Sequence, residues 1–295
     1  MKVAVIGSDG QLGRDIVSAF QQVGDLVYPL RHEDIEVSDM DSILHVLERI
    51  QPEMIVNTAA MHNVENCERE PARAFAVNAL GASHLAGAAR SLDAALMHVS
   101  TDYVFDGRKQ APYIESDTPA PLNAYGVSKL AGEHLIRAQT EKYFIVRTSA
   151  LYGASPCRAK GGLNFVELML KLANERGELK VVDSEKVSPT STAELARQMV
   201  ELSRSQSYGL YHATSEGSCS WYEFAQEIFH LTNTRVRLQI AGPNEFPAKV
   251  PRPAYSVLEN SALKALGLNT FRPWRDGLET YLAGRARHEP LSVAH

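Results

Sequence analysis

Residues 2–24 read KVAVIGSDGQLGRDIVSAFQQVG, and this stretch decides the fold. KVAVI is a short apolar run of the kind that forms a buried strand. Gly7, Gly10 and Gly13 follow at G-x-x-G-x-x-G spacing, and the apolar residues of RDIVSAFQQV then recur at helical spacing up to Gly24. Strand, glycine turn and helix in that order form the dinucleotide-binding context. The glycines let the backbone approach a pyrophosphate, and the helix N-terminus offers N–H groups and a partial positive charge. The next strand is predicted at LVYPL, 26–30, and the chain continues with Arg31-His32 where an NAD-preferring unit carries an acidic residue. A cation there suits a 2′-phosphate, so the reading favours NADPH and leaves NADH open.

Outward from this unit, strands keep alternating with helices. A helix is predicted at 41–50, a strand near 53–58, a long helix over 71–91 that starts at Pro71, a strand through AALMHVS ending at Thr101, and a strand at 143–149. The pattern predicts an α/β fold with a Rossmann-type, doubly wound parallel sheet, its ligands beyond the carboxyl ends of the strands. Gly7, Asn57, Thr101 and Thr148 fall near such ends. The rhythm breaks after 150. We expect residues 1–150 to form the nucleotide-binding domain, with later returns near 178–190 and 208–215. A smaller, discontinuous substrate domain is expected mainly from 151–285, and a loose tail over 286–295. SWYEFAQEIFHLT is predicted as a helix capped by Ser220, and KVPRPAYSVLEN as a loop lining a site.

A second motif points to chemistry. Tyr125 and Lys129, in NAYGVSKLAGEH, lie four apart and so about one turn from each other on a helix. A free phenol titrates near 10, and an ammonium beside it would favour the phenolate and make proton transfer practical near neutrality. A lone Y-x-x-x-K is more often a solvated helix face; the glycine turn and Thr101 in STDYVFDG change that balance. Composition sets bounds: 295 residues, 44% hydrophobic and 22% charged, as in a soluble globular protein, with a net charge of -5 that gives no reason to expect nucleic acid or an anionic membrane as partner. No run approaches a membrane span, the first ten residues read as a strand and turn and not a signal peptide, and the three scattered cysteines read as free thiols of a cytoplasmic protein.

Together, the glycine turn, VNTAA (56–60), VNALG (77–81), STDYVFDG (100–107), PLNAYGVSKLAGE (121–133), VRTSALYG (146–153), SPT (188–190), SWYEFA (220–225) and RPAYSVL (252–258) resemble the extended short-chain dehydrogenase/reductases, and within them the dTDP-4-dehydrorhamnose reductases. The resemblance runs from residue 2 to about 282. It implies hydride transfer from NADPH to the C4 ketone of a nucleotide-linked 4-keto-6-deoxy sugar. Tyr125 would be the proton donor, Lys129 the ribose ligand that lowers the Tyr125 pKa, and Thr101 the hydrogen-bond partner of the carbonyl. It further implies cofactor contacts from Gly7, Gly10, Gln11, Leu12, Gly13, Arg31, Glu36, Ala59, Ala60 and Asn78, with Glu36 toward the adenine. Asp102, Tyr103, His62, Ala150 and Arg252 would stand on the substrate side. Dehydratases of the superfamily carry acidic residues after the Thr; Asp102-Tyr103 lacks the second, which argues against dehydration.

The chain departs from the pattern where the family has Trp and this sequence has Ala150, at Met61-His62, and at Glu185 and Val187. These changes cluster on the sugar-nucleotide side, so the substrate and the nucleotide it carries stay open. A homodimer is implied by the resemblance alone. Some members hold magnesium between subunits, and Asp15 and Glu194 sit near such positions. Both read equally well as exposed helix residues, so no metal site is assigned and magnesium stays open. Two other readings remain: a non-catalytic NADP-binding regulatory subunit like the methionine adenosyltransferase β subunit, and an epimerase of nucleotide sugars.

Overall fold

The computed structural model describes residues 1–157, 161–242, 245–246 and 248–288. Its centre is a six-stranded sheet of β1 (Lys2–Ile6), β2 (Leu26–Leu30), β3 (Met54–Asn57), β4 (Ala95–Thr101), β5 (Tyr143–Thr148) and a last strand, Gly209–His212. The strands run β2-β1-β3-β4-β5 and then Gly209–His212, every pair parallel. The order reverses between β1 and β3, which opens a crevice at their carboxyl ends. Pro29 lies in β2, an edge strand, where a missing N–H costs no central ladder bond.

Because side chains alternate along a strand, the apolar runs supply two cores at once. Val3, Val5, Val56, Met97, Phe144 and Val146 point to one face, covered by α1 (Gln11–Gln22) and by a later helix, Thr192–Ser203. Ala4, Ile6, Ile55, Leu96 and Ile145 point to the other, covered by α2 (Met40–Ile50) and by helices that follow β3 and β4. After β3 come α3 (Val64–Arg69), α4 (Pro71–Phe75), a π turn at Ala76–Leu80, and α5 (Gly81–Ser91). The single helix predicted over 71–91 therefore contains a π segment. After β4 comes α6 (Ala124–Gln139), whose N-cap Asn123 accepts from the Gly126 N–H and donates to the Pro251 carbonyl at 2.9 Å.

Beyond residue 150 a separate apolar cluster forms from Tyr152, Val166, Met169, Phe224, Trp274 and Leu278, among others. It joins the helices Phe165–Glu175, Trp221–Leu231 and Trp274–His288. Trp221–Leu231 begins with the predicted Ser220 cap, completed by Glu223 as a capping box. Of the two later returns, Gly209–His212 is the sixth strand of the sheet, whereas Glu178–Val181 pairs with Arg237–Ile240 outside it. The tail expected at 286–295 overlaps the last helix as far as His288; 289–295 lie outside the described residues.

Candidate active site

The turn after β1 is built for close approach. Gly7 has φ of 77°, and a Cβ on it would come within 2.6 Å of Thr58 Oγ1; a Cβ on Gly13 would lie 2.1 Å from the Gly7 carbonyl oxygen. Only bare backbone lets α1 seat against the strand end. Gly10 is the N-cap of α1 and no side chain caps it by a hydrogen bond, so the helix's first-turn N–H groups, at Gln11, Leu12 and Gly13, are left without a capping side chain. This cradle fits a dinucleotide pyrophosphate. The Gln11 side chain is engaged elsewhere: its amide donates to the carbonyls of Gly153 and Ser155 at 3.3 and 3.2 Å.

Thr58 ties the β1 and β3 ends together by donating to the Ile6 carbonyl, and Ala59 and Ala60 follow, half-buried. Asn78 is buried and its amide is fully used. It accepts from the Met61 N–H and donates to the Met61 carbonyl and to Ser128 Oγ. It therefore fixes the path of residues 58–62. Arg31 stands exposed at the end of β2, paired with Glu33 at 2.9 Å and Asp34 at 3.8 Å. Glu36 accepts from the Ser38 N–H and hydroxyl; these bonds outweigh its partial burial and hold its carboxyl below the usual range.

Thr101 ends β4 and Tyr125 lies in the first turn of α6, near enough for the Thr101 hydroxyl to act on the phenol. Burial pushes the Tyr125 phenol well above its ordinary value, and the neighbouring Thr101 hydroxyl opposes this. The expected downward pull of Lys129 on Tyr125 is not seen here. The Lys129 ammonium position is turned to β4 instead, its Nζ 2.7 Å from the Val99 carbonyl and 2.9 Å from His98 Nε2, and burial lowers it to about 8. Tyr103 packs edge-on against Tyr125 with ring centroids 5.8 Å apart. Asp102 is a correction. It was expected to face substrate, but it is buried and accepts from Thr101 at 3.0 Å and Ser149 at 2.8 Å. It braces Thr101 from below, and burial raises its carboxyl above the usual range.

Around the Tyr125 end lies a wall of charged and aromatic side chains. Arg252 donates to Glu65 of α3 at 2.6 Å, and both Tyr103 and Glu185 act electrostatically on it. Glu185 accepts from Trp221 Nε1 at 3.0 Å. Ala150 has a φ of 46°, a left-handed conformation uncommon for a residue with a Cβ. His62 is exposed, with Nδ1 3.4 Å from the Ala60 carbonyl. His98 and Glu65 were given no role from the sequence, and Asn57 only a place near a ligand-facing strand end; the one available signal for His98 was a histidine inside the apolar strand ALMHVS.

Glu194 is buried and bound by Arg272 at 2.6 Å, and Asp15 is half-buried beside Thr192, so neither is the exposed helix residue the sequence allowed. Among the described residues, no group of three or more His, Cys, Asp or Glu side chains could hold a metal, and no helix is long and apolar enough to cross a membrane. All three cysteines are free.

The family model of the RmlD substrate binding domain matches residues 1–286. The chain belongs to that family. It is 40% identical to the spore coat polysaccharide biosynthesis protein SpsK of Bacillus subtilis, over 97% of this chain and 98% of that protein. It is 37% identical to the dTDP-4-dehydrorhamnose reductase of Streptomyces griseus, over 96% of this chain and 94% of that one. The crystal structure of the Bacillus anthracis dTDP-4-dehydrorhamnose reductase in complex with NADP superposes with a TM-score of 0.91 at 36% identity, covering 96% of this chain and 99% of that one. The resemblance read from the motifs is thus that of a true member. The parallel sheet is the Rossmann-like sheet of this family, and the chain is an oxidoreductase.

Proposed function

We propose that this chain is an NADPH-dependent reductase of a nucleotide-linked 4-keto-6-deoxy sugar, with dTDP-4-dehydrorhamnose as its first candidate substrate. The observation that carries the reading is the cluster of Thr101, Tyr125 and Lys129 at the end of β4, on the same side of the sheet as the uncapped glycine turn. In this reading residues 1–150 with the strand 209–212 form the cofactor half. Most of 151–285 forms the substrate half.

The cofactor, when bound, supplies a hydride. The chain's own residues hold it through the backbone of residues 7–13, with Ala59 and Ala60 leaving room beside them, and Arg31 exchanges its Glu33 and Asp34 partners for a 2′-phosphate. Tyr125, kept as a neutral phenol by burial, gives its proton to the alkoxide that develops at the reduced carbonyl carbon. Thr101 orients that phenol, and Asp102 holds Thr101 in place. Arg252 leaves Glu65 to meet the substrate's diphosphate, a pairing that a guanidinium makes in bidentate form. Tyr103, His62 and Ala150 line the sugar-nucleotide side.

The test is NADPH oxidation by the purified protein with freshly prepared dTDP-, UDP-, GDP- and CDP-linked 4-keto-6-deoxy sugars. Rapid turnover of one of them is expected, with the dTDP sugar first. Tight NADPH binding without consumption on any sugar would overturn the reading in favour of a regulatory subunit, and sugar interconversion without net consumption would favour an epimerase.

A further inference from the structure

His98 sits in the interior of β4, completely enclosed, with a nitrogen neighbour at each end of its ring. Asn57 Nδ2 lies 3.0 Å from His98 Nδ1, and Lys129 Nζ lies 2.9 Å from His98 Nε2. The Asn57 amide cannot turn over freely, because its Oδ1 accepts from the Ala59 N–H at 3.0 Å. Its NH₂ group is therefore the end that faces the imidazole, and His98 Nδ1 must accept. A neutral imidazole that accepts on Nδ1 carries its proton on Nε2. That proton points at Lys129.

An ammonium has three donors and no lone pair, so it cannot accept from Nε2–H; a neutral amine can. The amine accepts from His98 and still donates to the Val99 carbonyl at 2.7 Å. We propose that His98 is a positioning residue. Held as its Nε2–H tautomer by Asn57, it seats Lys129 against β4 as the free amine of the nucleotide-free protein at alkaline pH, and protonation of Lys129 toward neutrality breaks this seat. One proton added to Nζ fills the lone pair that His98 was bonding; no other bond changes.

The groups around Lys129 are few. On its own helix stands Glu133, already held by Arg147 of β5 and Ser100 of β4; from β4 itself comes His98. Asp102, after β4, and Cys67 of α3 act on Tyr125. Burial lowers Lys129 and also keeps His98 from becoming a cation. The seat explains how a lysine one turn from Tyr125 leaves that phenol unassisted in this structure. Under the reductase reading, the lysine joins Tyr125 only after it leaves β4.

The test is made on the full chain without nucleotide, so it does not depend on the identity of the sugar. Nitrogen-15 shifts of labelled histidine should show His98 as a neutral ring protonated on Nε2. Carbon-13 shifts of labelled lysine, assigned with Lys129→Arg, should show Lys129 titrating near 8. Asn57→Asp is the sharper variant. The introduced carboxylate can only accept, so the ring must turn its proton to Nδ1 and present the Nε2 lone pair to Lys129. The tautomer should invert, and the Lys129 titration should rise by about one pH unit or more. His98→Gln should move the titration in the same direction. A wild-type His98 protonated on Nδ1, or a Lys129 that titrates at its ordinary value, would overturn the proposal even if neither variant folds. Failure of every keto sugar to turn over would leave these shifts unaffected.

Discussion

The glycine turn at 7–13 and the wall formed by Glu65, Glu185, Trp221 and Arg252 are built in opposite ways. The turn is made of backbone. Its geometry follows from the absence of side chains at Gly7 and Gly13, where a Cβ would strike Thr58 and the Gly7 carbonyl. The wall is made of side chains from four separate stretches, joined by a Glu65–Arg252 ion pair and a Trp221–Glu185 hydrogen bond. A backbone device tolerates almost no substitution and serves any dinucleotide. A side-chain device can be rebuilt one residue at a time, and Glu185 is one of the positions where this sequence departs from the pattern it resembles. Under the proposed function, the cofactor is met by backbone and the substrate by side chains.

Substitutions can break that contrast. The largest effect belongs to Tyr125→Phe, which removes the proton donor without touching the turn or the wall. Turnover should fall about 10²–10⁴-fold while NADPH affinity, read by fluorescence titration, changes little. Near-normal turnover would remove Tyr125 from the mechanism. Lys129→Met tests the buried lysine through stability. Its folded value of about 8 lies below the ordinary 10.5, so between these values the unfolded chain binds more protons and wild-type stability rises with pH. The variant loses that slope. Urea unfolding at neutral pH should find it more stable, by up to about 3 kcal/mol less the lost Val99 bond, with the gain shrinking to nothing toward pH 10.5. A variant that is less stable across the whole range would contradict this.

Smaller effects sharpen the comparison on each side. Arg252→Ala should raise KM for the sugar nucleotide by about tenfold or more and leave kcat and KM for NADPH nearly unchanged; a fall in kcat alone would place Arg252 nearer the reacting carbon. Arg31→Ala should weaken NADPH by about fivefold and NADH hardly at all, since an exposed ion pair contributes little. Equal losses for both would end the 2′-phosphate assignment.

What the sequence disclosed follows the same division. β1, α1 and the strand that delivers Thr101 were legible because period and glycine spacing encode backbone directly. The Ser220 cap was legible for the same reason, since a hydroxyl before a helical run has a local partner. The π turn at Ala76–Leu80 was not, because an extra residue in a helical turn leaves the surrounding apolar pattern readable as one helix. The burial of Asp102 and the saturation of Asn78 depend on Ser149 and on Met61 and Ser128, partners 47, 17 and 50 residues away. The direction of Lys129 was hidden too, because spacing puts it on the Tyr125 face but says nothing about a histidine in the neighbouring strand.

The apolar face made by Val5, Val56, Met97, Phe144 and Val146 has a consequence for synthesis on the ribosome. Part of its cover, Leu195, Met199 and Val200, together with Tyr211, Leu263 and Phe271, arrives from the second half of the chain. A nascent chain that has emerged only as far as β5 therefore carries all the residues of the glycine cradle and Tyr125, yet leaves much of one side of its sheet bare. The first half is a completed motif and an unfinished protein. Its translation ends long after its signature has been written.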